Sequence, residues 1–244
     1  DHQYDGAEHK WEPTVKDGEK ILEKGTDYTV AYNKSDFTNV TGTIKVTITG
    51  KGNYEGEVIR EYKITKRTVT LKSADLSKSY DGTELVNGET ALETETGWAD
   101  GEGATYTFTG SQTKVGNSAN TFTYTLNNGM KAGNYTITKT EGTLTVTAKS
   151  VSGMKVDKPS NQQYDGKEHK WEPTVRDGEK TLEKGTDYTV AYDKDDFKNV
   201  TGTIKVTIIG KGNYAGEVIR EYQITKRAVT LKSADLSKSY DGTE

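Results

Sequence analysis

The chain has 244 residues, of which 31% are hydrophobic and 29% charged, and its 33 basic and 37 acidic residues leave a net charge of −4. Both signs are interspersed, so no basic stripe points to nucleic acid, and no apolar run approaches the roughly 18 to 20 residues of a membrane helix. Cysteine is absent, which removes disulfides, thiolate chemistry and cysteine metal sites together, while 15 Tyr, 4 Phe and 3 Trp argue against disorder and for small, thin cores.

From the N-terminus, Gln3-Tyr4-Asp5-Gly6 recurs as Gln163-Tyr164-Asp165-Gly166, and Ser79-Tyr80-Asp81-Gly82 recurs as Ser239-Tyr240-Asp241-Gly242, both at an offset of 160 residues. Residues 3–84 and 163–244 differ at ten positions only: Ala7/Lys167, Lys16/Arg176, Ile21/Thr181, Asn33/Asp193, Ser35/Asp195, Thr38/Lys198, Thr49/Ile209, Glu55/Ala215, Lys63/Gln223 and Thr68/Ala228. Repetition of this fidelity is the signature of a repeat architecture. The steps within a period are unequal, 76 residues from Tyr4 to Tyr80 and 84 from Tyr80 to Tyr164, so two module types alternate. The expected division is module A at 1–66, module B at 67–148, a second module A at 149–226 and a truncated module B at 227–244. The first A lacks a counterpart of 151–160, as expected of a window from a longer array.

Period-two alternation predicts strands throughout, because successive side chains of a strand point to opposite faces. In module A, Tyr28, Val30 and Tyr32 alternate with Thr29 and Ala31, and Ile44, Val46 and Ile48 alternate with Thr and Lys. Gly50-Lys51-Gly52-Asn53 is the turn to the next strand. In module B the pattern covers Tyr106 and Phe108, then Phe122, Tyr124 and Leu126, then Tyr135 and Ile137, then Leu144 and Val146, and Asn128-Gly129 predicts a hairpin. No 3.6 period is sustained. The expected fold is all-β: small antiparallel β-sandwich modules, Ig-like or similar, repeated in an elongated, monomeric array.

Catalysis has little material. His9 and His169 are one residue in two copies, His2 is the only other histidine, and no nucleophile-elbow pattern occurs. The carboxylates are scattered over polar faces and loops, where solvation explains them. Calcium has two candidate loops, 193–196 and 100–103, but the first loses two charges in the other copy and neither has EF-hand spacing. No lysine stands alone in an apolar strand, the context for a Lys–Asn isopeptide bond. No cofactor is expected. Trp11 and Trp171, each in Glu-His-Lys-Trp-Glu-Pro, together with His9 and His169, form the candidate partner-binding patch, since tryptophan is enriched in binding hot spots. The competing role for these rings, and for Trp98, is to plug the end of a small core.

Tyr4-Asp5-Gly6, Gly25-Thr26-Asp27-Tyr28-Thr29-Val30 and Gly50-Lys51-Gly52-Asn53-Tyr54 resemble the MBG and YDG type of glycine-rich β-repeat. Module B, with Ser79-Tyr80-Asp81-Gly82-Thr83 and Ala132-Gly133-Asn134-Tyr135-Thr136, is similar to a second branch of that group. The resemblance implies an extracellular, cell-wall-anchored surface protein of a gut Gram-positive bacterium. It also implies either multivalent binding of a host mucosal protein or glycoprotein, immunoglobulin first and mucin next, or a passive stalk. Its motifs are turn and core residues, specific for fold and nearly silent on function.

Overall fold

The computed structural model describes residues 1–89, 91–232 and 240–242, so part of the segment 227–244 lies outside the described residues. The chain is all-β, with helical structure among the described residues limited to the 3-10 turns Ala132–Asn134 and Val151–Gly153. Two compact units are present. The first comprises Asp1–Lys78 and Gly82–Val146, and the second Ser79–Asp81 and Thr147–Glu244. Modules A and B of the sequence therefore share one unit.

In the first unit, module A is built on a four-stranded sheet in the order His2–Gln3, Glu57–Thr65, Thr43–Gly50, Tyr28–Tyr32. The long central ladder is antiparallel, with Thr43 opposite Lys63 and Thr49 opposite Glu57. Its turn falls at Gly50-Lys51-Gly52-Asn53, as the spacing predicts. Ile44 and Val46 are fully buried on the inner face while Lys45 is exposed on the other. The edge strand His2–Gln3 is parallel to its neighbour, His2 facing Ile64. That parallel edge has no counterpart in the sequence-based expectation, because a two-residue strand is too short to show a period.

Module B is less regular. Arg67–Lys72 lies between Thr94–Thr96, antiparallel, and Tyr135–Thr140, parallel. Ala104–Phe108 pairs antiparallel with Phe122–Leu126, and Gly116–Asn120 pairs antiparallel with Gly142–Thr147. Asn128-Gly129 does form a turn, with Gly129 at φ +88°, but it does not close the hairpin expected of it. The 3-10 turn that follows redirects the chain, and Tyr135–Thr140 joins Arg67–Lys72 instead of Phe122–Leu126. Along Phe122–Leu126 only Phe122 is fully covered, and Tyr124 is exposed.

Val69, Leu71, Leu144 and Val146 supply the inner faces of module B. Where its sheets cross, Ser73 donates to the carbonyl of Asn120 at 2.6 Å and accepts from Gly142 N–H, and Asn120 donates to the Ala74 carbonyl. The backbones meet so closely there that a Cβ on Gly142 would lie 2.3 Å from the Ala74 oxygen. One continuous apolar cluster runs from Phe37, Ile44, Val46 and Ile64 of module A to Val69, Leu71, Phe122 and Tyr135 of module B.

The second unit repeats the module A sheet in the order Gln162–Gln163, Glu217–Thr225, Thr203–Gly210, Tyr188–Tyr192, with the same registers. Its core forms two clusters, one around Phe197, Ile204, Val206, Tyr222 and Ile224, the other around Val151, Val175, Tyr188, Ile208 and Tyr214.

Gly97 offers a sharp test of this packing. It sits at φ +101°, and a Cβ there would lie 2.1 Å from the Thr68 carbonyl oxygen. Gly97→Ala is expected to lower stability in urea unfolding by about 1–3 kcal/mol, combining strain and collision, whereas Gly88→Ala, with open space around it, leaves the midpoint unchanged.

Candidate functional site

The Tyr-Asp-Gly turn organises the surface that carries the candidate histidines and tryptophans. Asp5 accepts the Ala7 N–H at 2.9 Å and pairs with His9 Nε2 at 2.8 Å. These bonds hold the Asp5 carboxyl below the usual range, the backbone N–H first and His9 second. The second copy repeats this, with Asp165 bound to Lys167 N–H and His169 Nε2. In the first copy His2 stacks on His9 with ring centroids 4.4 Å apart; the second has Gln162 at that place.

Trp11 is fixed through its backbone. Tyr32 Oη donates to the Trp11 carbonyl at 2.8 Å, and Tyr62 accepts the Trp11 N–H while donating to the His9 carbonyl. Tyr192 and Tyr222 do the same for Trp171 and His169. Lys10 lies 5.0 Å from the Tyr32 ring, and Glu12 pairs with Lys24 at 2.5 Å. With its backbone held, Trp11 is 41% exposed. Trp171 is half-buried, beside an open groove of about 380 Å³ to which Lys158, Pro159, Ser160, His169 and Tyr222 also contribute.

Trp98 is placed differently. Its indole N–H donates to Glu95 Oε1 at 2.8 Å, and its ring meets Tyr135 edge-on at 5.0 Å, so it caps the module B core. In the candidate calcium loops three carboxylates bond to the protein itself. Asp196 accepts the N–H groups of Lys198 and Asn199, Asp193 accepts the Lys205 N–H, and Glu102 accepts from Tyr4 and Tyr135. Among the described residues no group of three or more His, Cys, Asp or Glu is arranged to hold a metal.

Sequence reasoning missed the site with the densest chemistry, which lies where modules A and B meet inside the first unit. Tyr4, only 4% exposed, stands edge-on to Tyr135 at 5.3 Å and donates to Glu102 Oε1 at 2.7 Å. Tyr135 Oη donates to the other oxygen of Glu102 and accepts the Ala99 N–H. Beside it, buried Asn134 accepts the Val40 N–H at 3.0 Å and donates to Asn39 Oδ1 at 2.8 Å. Burial and the Glu102 carboxylate raise both tyrosine hydroxyls above their ordinary value. The available signal was the tyrosine of Tyr-Asp-Gly, a large apolar residue in an otherwise polar turn.

No protein-family model matches the chain, and no curated protein matches it.

Tyr4→Phe keeps the ring and removes the bond to Glu102. A hydrogen bond to a charged acceptor predicts a loss of about 1–2 kcal/mol in chemical denaturation. Tyr164→Phe, at the equivalent and 37% exposed position, is expected to cost far less. Alkali supplies a second test. The Tyr32 hydroxyl is pushed up from 10.0 to about 12, by burial first and by Glu12 next. A raised folded-state value means the unfolded chain loses its proton first, so the stabilisation is complete below pH 10 and disappears as pH climbs towards 12. Melting temperature is expected to hold up to about pH 9 and then fall, in step with phenolate absorbance.

Proposed function

We propose that the chain is a non-catalytic repeat segment of an extracellular, cell-wall-anchored bacterial surface protein, and that its modules serve as a stiff spacer. The observation that carries this reading is the junction of Tyr4, Glu102, Tyr135, Asn39 and Asn134, which joins two sequence modules into one unit. A receptor module that works alone has no use for burying two tyrosines on a half-buried carboxylate at its neighbour. A spacer does, because its reach depends on how little each junction bends. The linker Thr65-Lys66-Arg67 lacks a flexible Gly/Ser run, which agrees with a restrained joint.

A second reading, binding of a host mucosal glycoprotein with immunoglobulin the first candidate and mucin glycan the next, is favoured by one observation. Trp11 has its backbone held by hydrogen bonds yet is 41% exposed. Repetition would multiply a modest contact at Trp11 and Trp171, since tethered copies raise effective concentration without new contacts.

Capture from intestinal fluid on the immobilised chain separates the two. The spacer reading expects no enrichment of immunoglobulin or mucin over a blank surface. Enrichment that disappears in the Trp11→Ala, Trp171→Ala double variant would replace it with the second reading. The spacer also expects energy transfer between dyes on modules A and B to be sharply distributed, and to broaden in Tyr4→Ala.

A further inference from the structure

The chain has two Asn-Gly steps, at 87–88 and 128–129, and the fold treats them in opposite ways. Asn87 is 9% exposed, and its side-chain oxygen accepts the Glu89 N–H at 3.0 Å. Asn128 and Gly129, in the turn that closes no hairpin, are both exposed. Among the described residues, neither the Asn128 carboxamide nor the Gly129 N–H has a hydrogen-bond partner. Gly129 has no side chain to shield its nitrogen, and even a Cβ there would meet nothing within 4 Å.

An asparagine so placed is labile, and asparagine is among the residues that heat-stable proteins use sparingly. The Gly129 nitrogen attacks Asn128 Cγ, and an N–Cγ bond closes a cyclic imide. The Cγ–Nδ2 bond breaks, and ammonia leaves with the proton that the Gly129 nitrogen gives up. Water then opens the imide. Attack at Cγ yields aspartate with the backbone unchanged. Attack at the backbone carbonyl carbon of residue 128 yields isoaspartate, in which the main chain runs through Cβ and Cγ. The net reaction consumes one water and releases one ammonia, with no oxidant or reductant.

Asn128 and Gly129 lie between the two residues that hold Gly103. Asn127 N–H donates to the Gly103 carbonyl at 3.0 Å, and Met130 Sδ accepts the Gly103 N–H at 3.2 Å. Met130 N–H closes the turn on the Asn127 carbonyl at 3.3 Å, and the Met130 side chain packs against the core shared by modules A and B. The residue before Gly103 is Glu102, the acceptor for both Tyr4 and Tyr135. Isoaspartate adds one carbon to the main chain between Asn127 and Met130, so the turn and its grip on Gly103 cannot both keep their geometry. We propose that Asn128 is a site of spontaneous deamidation, and that its isoaspartate product loosens the loop carrying Glu102 and with it the joint between modules A and B. The inference holds whether the array is a spacer or a receptor, since it concerns the chain's own chemistry.

The full chain is incubated at mildly alkaline pH, and Asn87 and Asn128 are followed by peptide mapping with mass spectrometry, isoaspartate being scored separately by enzymatic methylation. Asn87 reacts only when its surroundings open locally, so Asn128 is expected to convert at least about tenfold faster, and the difference to shrink in urea. The joint is read by amide exchange at Ala99, whose N–H donates to Tyr135, and at Gly103. Exchange at both is expected to quicken in the aged chain in proportion to its isoaspartate content. It is expected to keep the fresh rate in aged Asn128→Gln, whose longer side chain cyclises far more slowly, and in fresh Asn128→Asp, which has the charge without the altered backbone. Conversion at Asn128 no faster than at Asn87 would overturn the proposal, as would unchanged exchange at Ala99 and Gly103 in the isoaspartate form or equal quickening in fresh Asn128→Asp.

Discussion

Tyr4 belongs by sequence to module A and is buried against module B. Its ring meets Tyr135, and its hydroxyl bonds to Glu102. This follows from a shortage: with 31% hydrophobic residues and an exposed face on most strands, a module of some 66 to 82 residues has little apolar surface of its own to bury. Small domains bury too little surface to be comfortable alone, and no disulfide is available to compensate. The chain's solution is to share cores, and the long cluster from Phe37 to Tyr135 is the result.

The same economy recurs in the second unit. Tyr80, the tyrosine of module B's own Tyr-Asp-Gly, lies edge-on to Tyr214 at 5.5 Å and packs against the cluster that includes Val151 and Ile208. In both places the Tyr-Asp-Gly motif does two jobs. Its aspartate and glycine make the turn, with Asp5 accepting the Ala7 N–H and Gly6 at φ +85°. Its tyrosine leaves that turn to fill a core further along the sequence. Residues 149–156, which belong to module A itself, complete that cluster by backbone pairing and through buried Val151 and Val156.

Charge plays a positioning part within this frame. Glu102 and Glu95 each hold two aromatic donors, Tyr4 with Tyr135 and Trp98 with Tyr106. A carboxylate at the rim of a small core gives buried hydroxyls and an indole N–H the partner they need, since an unpaired buried donor would be costly. In the acidic loops that first suggest calcium, Asp193 and Asp196 bond to backbone N–H groups and Glu102 to the core rim. Trp11 stands apart, with its backbone held and its side chain exposed, and the binding reading starts from it and its repeat Trp171.

The sequence by itself determined the repeat, the all-β class, the turn at 50–53 and the buried faces of Ile44, Val46, Leu144 and Val146. These depend on local period and turn chemistry, which adjacent residues encode. It also located the His9 and Trp11 surface, because the motif around them is contiguous. Only the tertiary structure decided that Asn128-Gly129 does not close a hairpin, that Tyr135–Thr140 runs parallel to Arg67–Lys72, and that Tyr4 meets Glu102 across 98 residues of sequence. Parallel pairing and shared cores join residues far apart in the chain, and no local pattern records which distant partner a strand or a ring will find.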